Sequence, residues 1–219
     1  MPTVTNHLRK RKLTRSSAVP AYAPDVRLLA LAAAAAAFVA PPPPGPKGLE
    51  GVPVPQVPAL GKVRSLHVGQ SVDGITCDNS EKVAFHIHAH LAIFVDGTQK
   101  QIPYGIGIGL PLRGVRSVAG PFVTQGSCFA WLHTHAGDGI IHMEAPRQMT
   151  FDLGQFFDIW GQKLPPTQVG PAHGKVTALV NGKVFNGDPR GIKLSAHELV
   201  QLDVGKPLVG EQKVPFAKL

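Results

Sequence analysis

Beyond about residue 84 the chain falls into short runs in which apolar and polar residues alternate, each pair of runs broken by Asp-Gly or Asn-Gly. Asp96-Gly97 separates 84–95 from 98–108, Asp138-Gly139 separates 129–135 from 140–144, and Asn181-Gly182 separates 176–180 from 183–185. A period of two places successive side chains on opposite faces of a strand. Asp-Gly and Asn-Gly tolerate the positive φ of tight hairpin turns, so each pair predicts a β-hairpin. The segment 198–204 alternates too and reads as a further strand. One stretch has a different period. Leu153, Phe156, Phe157 and Trp160 fall at i, i+3, i+4 and i+7, the stripe of a short amphipathic helix. Asp152 with Gln155 can cap its start, and Gly161 can stop it. The expected fold is mainly β, an antiparallel β-sandwich or small barrel built from hairpins, with one short amphipathic helix.

Composition divides the chain into three parts. Residues 1–40 hold a basic head followed by an Ala-rich run from Leu28 to Ala40, which reads as a signal peptide or signal-anchor, with Ala35-Ala36-Ala37 as an A-x-A cleavage site. Thirteen helical residues rise about 20 Å, short of the roughly 30 Å hydrocarbon core. A single anchor through the membrane is the variant reading, and an Ala/Pro-rich tail of a cytosolic protein is the bland one. Residues 41–60 are Pro, Gly and Val with few donors, the composition of an extended spacer. Residues 61–219 are then the folded, His-rich β domain. The formal charge is +8. Six of the twenty-two Lys and Arg but one of the fourteen acids precede Lys47, leaving the rest at about +3. With no basic stripe interleaved with aromatics, no nucleic-acid partner is expected. Cys77 and Cys128 are the only cysteines, and in an exported domain a lone pair is expected to form a disulfide. Cys128 lies five residues before His133, an odd offset that turns it away from the histidine face of a regular strand.

Six of the ten histidines lie between His86 and His142. They form His86-Ile87-His88-Ala89-His90 and His133-Thr134-His135, followed by His142-Met143-Glu144. In strands each block presents its rings on one face. If Asp138-Gly139 is a two-residue turn, His135 faces His142 and His133 faces Glu144. A turn at Gly137-Asp138 instead sets His133 opposite His142 and keeps the same face. Opposite Cβ atoms lie about 5 Å apart. Within the first block each H-x-H step spans about 7 Å, so His86, His88 and His90 supply one or two ligands and the hairpin the rest. A buried histidine needs partners for both ring nitrogens, so six on one face with a glutamate call for an ion. The expected ligands are His86, His88, His90, His133, His135, His142 and Glu144, holding a divalent transition metal, zinc or copper not being distinguished.

No known catalytic motif accompanies them. His133 to Asp138 departs from the H-x-H-x-D-H of metallo-β-lactamase folds, and H-E-x-x-H is absent. The segments His86-Ile87-His88-Ala89-His90-Leu91, Leu132-His133-Thr134-His135, Gly139-Ile140-Ile141-His142-Met143-Glu144, Phe156-Phe157-Asp158-Ile159-Trp160-Gly161 and Gly187-Asp188-Pro189-Arg190 resemble a family of uncharacterised histidine-rich prokaryotic envelope proteins. That resemblance implies a secreted or anchored domain and brings no established activity. The residues therefore lead to an extracytoplasmic module that sequesters, senses or delivers metal, its partners the ion and, through an uncleaved N-terminal segment, the membrane. Two other readings stand beside it: a metal-dependent hydrolase with Glu144 or a histidine as general base, and a metal-free interaction domain switched by histidine protonation.

Overall fold

The computed structural model describes residues 1–3, 37–217 and 219. The basic head and most of the Ala-rich run, read above as a signal, lie outside the described residues. Among the described residues the chain is mainly β, with antiparallel sheets and a single short α-helix. Its principal sheet runs in the order Lys183–Val184, Val176–Val180, Leu199–Val204, Phe85–Val95, Ile140–Ala145, Leu132–His133, with Thr98–Lys100 also paired to Phe85–Val95. The two ends of that path do not meet, so the sheet is open and the barrel alternative is not realised. Leu199–Val204 runs parallel to Phe85–Val95, an exception to the antiparallel pattern.

Two of the expected hairpins form as read. Asp96 and Gly97 take φ 48° and 75°, Asn181 and Gly182 take 49° and 75°, and both pairs join directly neighbouring strands. The Asp138-Gly139 connection differs. Only Gly139 has positive φ, at 86°, and Asp138 instead accepts a bond from the Ile140 N–H through its Oδ1 at 3.1 Å. Strand pairing stops at His133 and resumes at Ile140, so the connection is a broad loop.

The helix spans Leu153–Trp160, as the periodicity predicts. Asp152 Oδ1 accepts from the Gln155 N–H at 2.9 Å, Gln155 Oε1 accepts from the Asp152 N–H at 3.1 Å, and Gly161 ends the helix at φ 79°. Phe156, Phe157 and Trp160 pack in one core with Ala89, Leu91, Ile141, Met143 and Leu132, the residues that alternate with the histidines along their strands. Burying that face fixes which way the histidines point. Arg190 grips Asp158 of the helix with both Nη atoms, at 3.2 and 2.5 Å.

Residues 41–60 are not the free spacer their composition suggests. Val52, Val54 and Leu60 are buried. The Gly48 N–H donates to Val52 O and the Val54 N–H to Pro46 O, both at 2.9 Å, closing a tight turn. Gln101 Nε2 donates to Pro55 O at 2.7 Å, and the Leu60 N–H donates to Gln101 O at 2.9 Å. A segment poor in donors leaves few polar groups to satisfy, so it can lie against the body at little cost. The packed body therefore begins before Gly61. It reaches back to Phe38–Val39, which pairs in parallel with Leu208–Val209.

Cys77 and Cys128 form the expected disulfide, both buried, tying Ile75–Asp78 to the residue before Phe129–Ala130. Such a bond points to an oxidising, extracytoplasmic setting. Among the described residues no helix is long and apolar enough to cross a membrane.

Candidate metal centre

Three neighbouring strands build the site. Ile140–Ala145 pairs on one side with Phe85–Val95, setting His142 against His88 and Glu144 against His86. On its other side His142 lies against His133. This is the second of the two registers read from the sequence; the first, with His135 against His142, is not adopted because the loop is broader than a two-residue turn. The shared face survives either way, since the two registers differ by an even number of residues.

Among the described residues two donor groups result. His133, His135, His142 and Glu144 bring ligand atoms within 4.8 Å of one another, and so do His86, His88 and His142. His90 stands apart from both. Its Nε2 lies 2.9 Å from Asp138 O, to which it donates, so this ring braces the loop before Ile140. His88, His133, His135, His142 and Glu144 are buried, whereas the His86 side chain is 38 % exposed and marks the solvent edge.

Tautomers are set by the backbone. His133 Nδ1 lies 2.9 Å from Ala130 O, and His135 Nδ1 lies 2.6 Å from Val123 O. A carbonyl oxygen only accepts, so each Nδ1 carries the ring proton and each Nε2 its lone pair. Those two Nε2 atoms face each other at 3.1 Å. Two bare lone pairs at that separation repel unless a cation lies between them. Burial, then the charges of the neighbouring histidines, push His133 well below its ordinary range, and burial and His142 push His135 down as well, so a proton is a poor occupant. An ion bound at about 2.0–2.1 Å to both nitrogens would see them roughly 100° apart, close to tetrahedral. The donor set fits a transition metal.

The other half of the cluster is held by carboxylates. His142 Nε2 lies 2.6 Å from Glu50 Oε1, and its Nδ1 lies 3.4 Å from Glu144 Oε1 and 3.1 Å from His88 Nε2. His86 Nε2 is 2.9 Å from His88 Nε2 and 3.0 Å from Glu144 Oε1. Burial alone would lower His142, but the hydrogen bonds and charges of Glu144 and Glu50 override it and raise it to about 9. Burial would raise Glu50 and Glu144, yet bonding to His142 and its charge hold both below the usual carboxylate range. His88 is pushed down to about 4 by burial and by the charges of His142 and His86. Burial and then the charge of Glu50 push Asp138 well up. In the metal-free protein the His142 imidazolium therefore holds Glu50 and Glu144 in place.

Glu50 and Glu81 are absent from the ligand set read in the sequence. Glu50 reaches the cluster because 46–54 folds back over it. Its signal was faint but present: it is the only acid between Asp25 and Asp73, set in an otherwise apolar stretch. Glu81 Oε1 lies 3.6 Å from His135 Nε2 at the half-exposed rim, with nothing in its local sequence to mark it.

The chain matches no protein-family model, no curated protein and no solved structure, so function has to be argued from this site.

Proposed function

We propose that the protein is an exported module that binds a divalent transition metal through its histidine cluster, to sequester, sense or deliver it. The observation that carries this reading is the pair of inward Nε2 lone pairs of His133 and His135 at 3.1 Å, each fixed by a backbone carbonyl behind its ring. Backbone carbonyls that accept the second ring N–H in this way are usual outer partners of metal-bound histidines. An all-imidazole and carboxylate set suits zinc or copper and disfavours hard, oxygen-seeking ions. Export is supported by the basic head, the Ala-rich run and the disulfide together. A binding role is favoured over hydrolysis because Glu144 is buried among the ligands and bonded to His86 and His142, which leaves it poorly placed to serve as a free base beside a substrate.

The test is calorimetry and elemental analysis of the full chain with Zn²⁺ and Cu²⁺. Tight binding in the wild type should be lost, wholly or at one site, in His133→Ala/His135→Ala. An isotherm and a metal content identical to the wild type in that variant would refute the assignment.

A further inference from the structure

Building on the metal-binding reading, we propose that the centre holds two transition-metal ions, bridged by the carboxylate of Glu144. Five imidazoles converge on this face, more than one tetrahedral ion can use. They divide by direction. His142 donates its Nε2 proton to Glu50 at 2.6 Å, and its Nδ1 points at His88 Nε2, 3.1 Å away, where an ion that displaces the second ring proton would find its lone pair. A carboxylate behind a histidine is a common way of orienting a ligand ring. His86 Nε2, 2.9 Å from His88 Nε2, completes three donors for one ion. His133 and His135 present their Nε2 atoms to the other.

Glu144 sits between the two groups. Its Oε1 lies 3.0 Å from His86 Nε2 and 3.4 Å from His142 Nδ1, so it faces the first. Its Oε2 is buried and, among the described residues, has no hydrogen-bond partner, although Glu144 also lies within ligand reach of His133 and His135. A buried carboxylate oxygen without a partner is costly unless something satisfies it. A second ion on that oxygen does so, and a carboxylate can span two ions about 3.5–4 Å apart. Charge agrees. Glu50, Glu81 and Glu144 surround the cluster, and three carboxylates offset most of the charge of two divalent ions.

The full chain is saturated with Zn²⁺, freed of excess and analysed for metal; separately it is loaded with Cu²⁺ and examined by electron paramagnetic resonance. Two ions per chain are expected, and the bridged coppers should give a half-field transition and an integrated signal short of two spins. His86→Ala/His88→Ala and His133→Ala/His135→Ala should each keep one copper, with a full mononuclear signal. One ion per chain in the saturated wild type would overturn the second ion and leave the metal-binding reading standing; none would overturn both. Two ions with two full, uncoupled spins would overturn the bridge. These wild-type measurements decide the matter even if a variant fails to fold.

Discussion

His90 is a bracing residue in this structure, and its titration tests that role. It is 4 % exposed, and burial, only partly opposed by its bond to Asp138 O, pushes it down to about 4. In the unfolded chain a histidine titrates near 6.5. Between those values the unfolded state takes up a proton that the folded state refuses, so stability is lost as pH falls from 6.5 toward 4. At roughly 1.4 kcal/mol per pH unit, the gap from 6.5 down to about 4 is worth about 3 kcal/mol. His142 has the opposite sign: raised to about 9, its contribution is complete below pH 6.5 and fades as pH climbs toward 9. The perturbation is His90→Gln, which keeps an N–H donor for Asp138 O and removes the titration. Urea unfolding of the metal-free protein and variant is measured at pH 7, 6, 5 and 4, and the difference between the two is followed. Groups common to both, Asp138 and Glu50 among them, largely cancel in that difference. Wild-type stability should fall toward that of the variant by about 3 kcal/mol over the series. A difference constant to within about 1 kcal/mol would mean that His90 protonates freely, and the bracing account would fail. Metal content should be unchanged in His90→Gln; loss of an ion would make His90 a ligand after all.

Three further outcomes are expected. Replacing Cys77 and Cys128 with Ala should lower stability by about 4 kcal/mol in denaturant melts, the loop-entropy value for a closure spanning 51 residues. Gly139→Ala should cost more than about 2 kcal/mol and reduce metal uptake, because φ is 86° there and the new Cβ would sit 2.3 Å from Leu91 O; a melt matching wild type would refute it. If export proceeds by cleavage after Ala37, N-terminal sequencing of the exported protein should begin at Phe38, the first residue of the strand paired with Leu208–Val209. An intact N-terminus in the membrane fraction would instead indicate an anchor, and an intact, soluble cytosolic protein would overturn export.

The helix over Leu153–Trp160, its Asp152 and Gly161 ends, and the turns at Asp96-Gly97 and Asn181-Gly182 were legible in the sequence because each depends on φ, ψ and side-chain period among near neighbours. The same period put His86, His88, His133, His135, His142 and Glu144 on one face, and the registers considered differ by two, which preserves the face. Tertiary structure decided the rest. His90 shares that face, yet the loop carrying Asp138 O comes down on its ring and takes it out of the ligand groups. Asp138 was read as a turn residue, but its side chain turns inward to the Ile140 N–H, which broadens the loop and selects His133 as the partner of His142. Glu50 meets His142 across 92 residues only because an apolar, donor-poor segment finds more to gain by burial than by solvation. Strand period is a local property of the chain. Which carboxylate closes over which imidazole depends on how distant segments stack, and no local pattern encodes that.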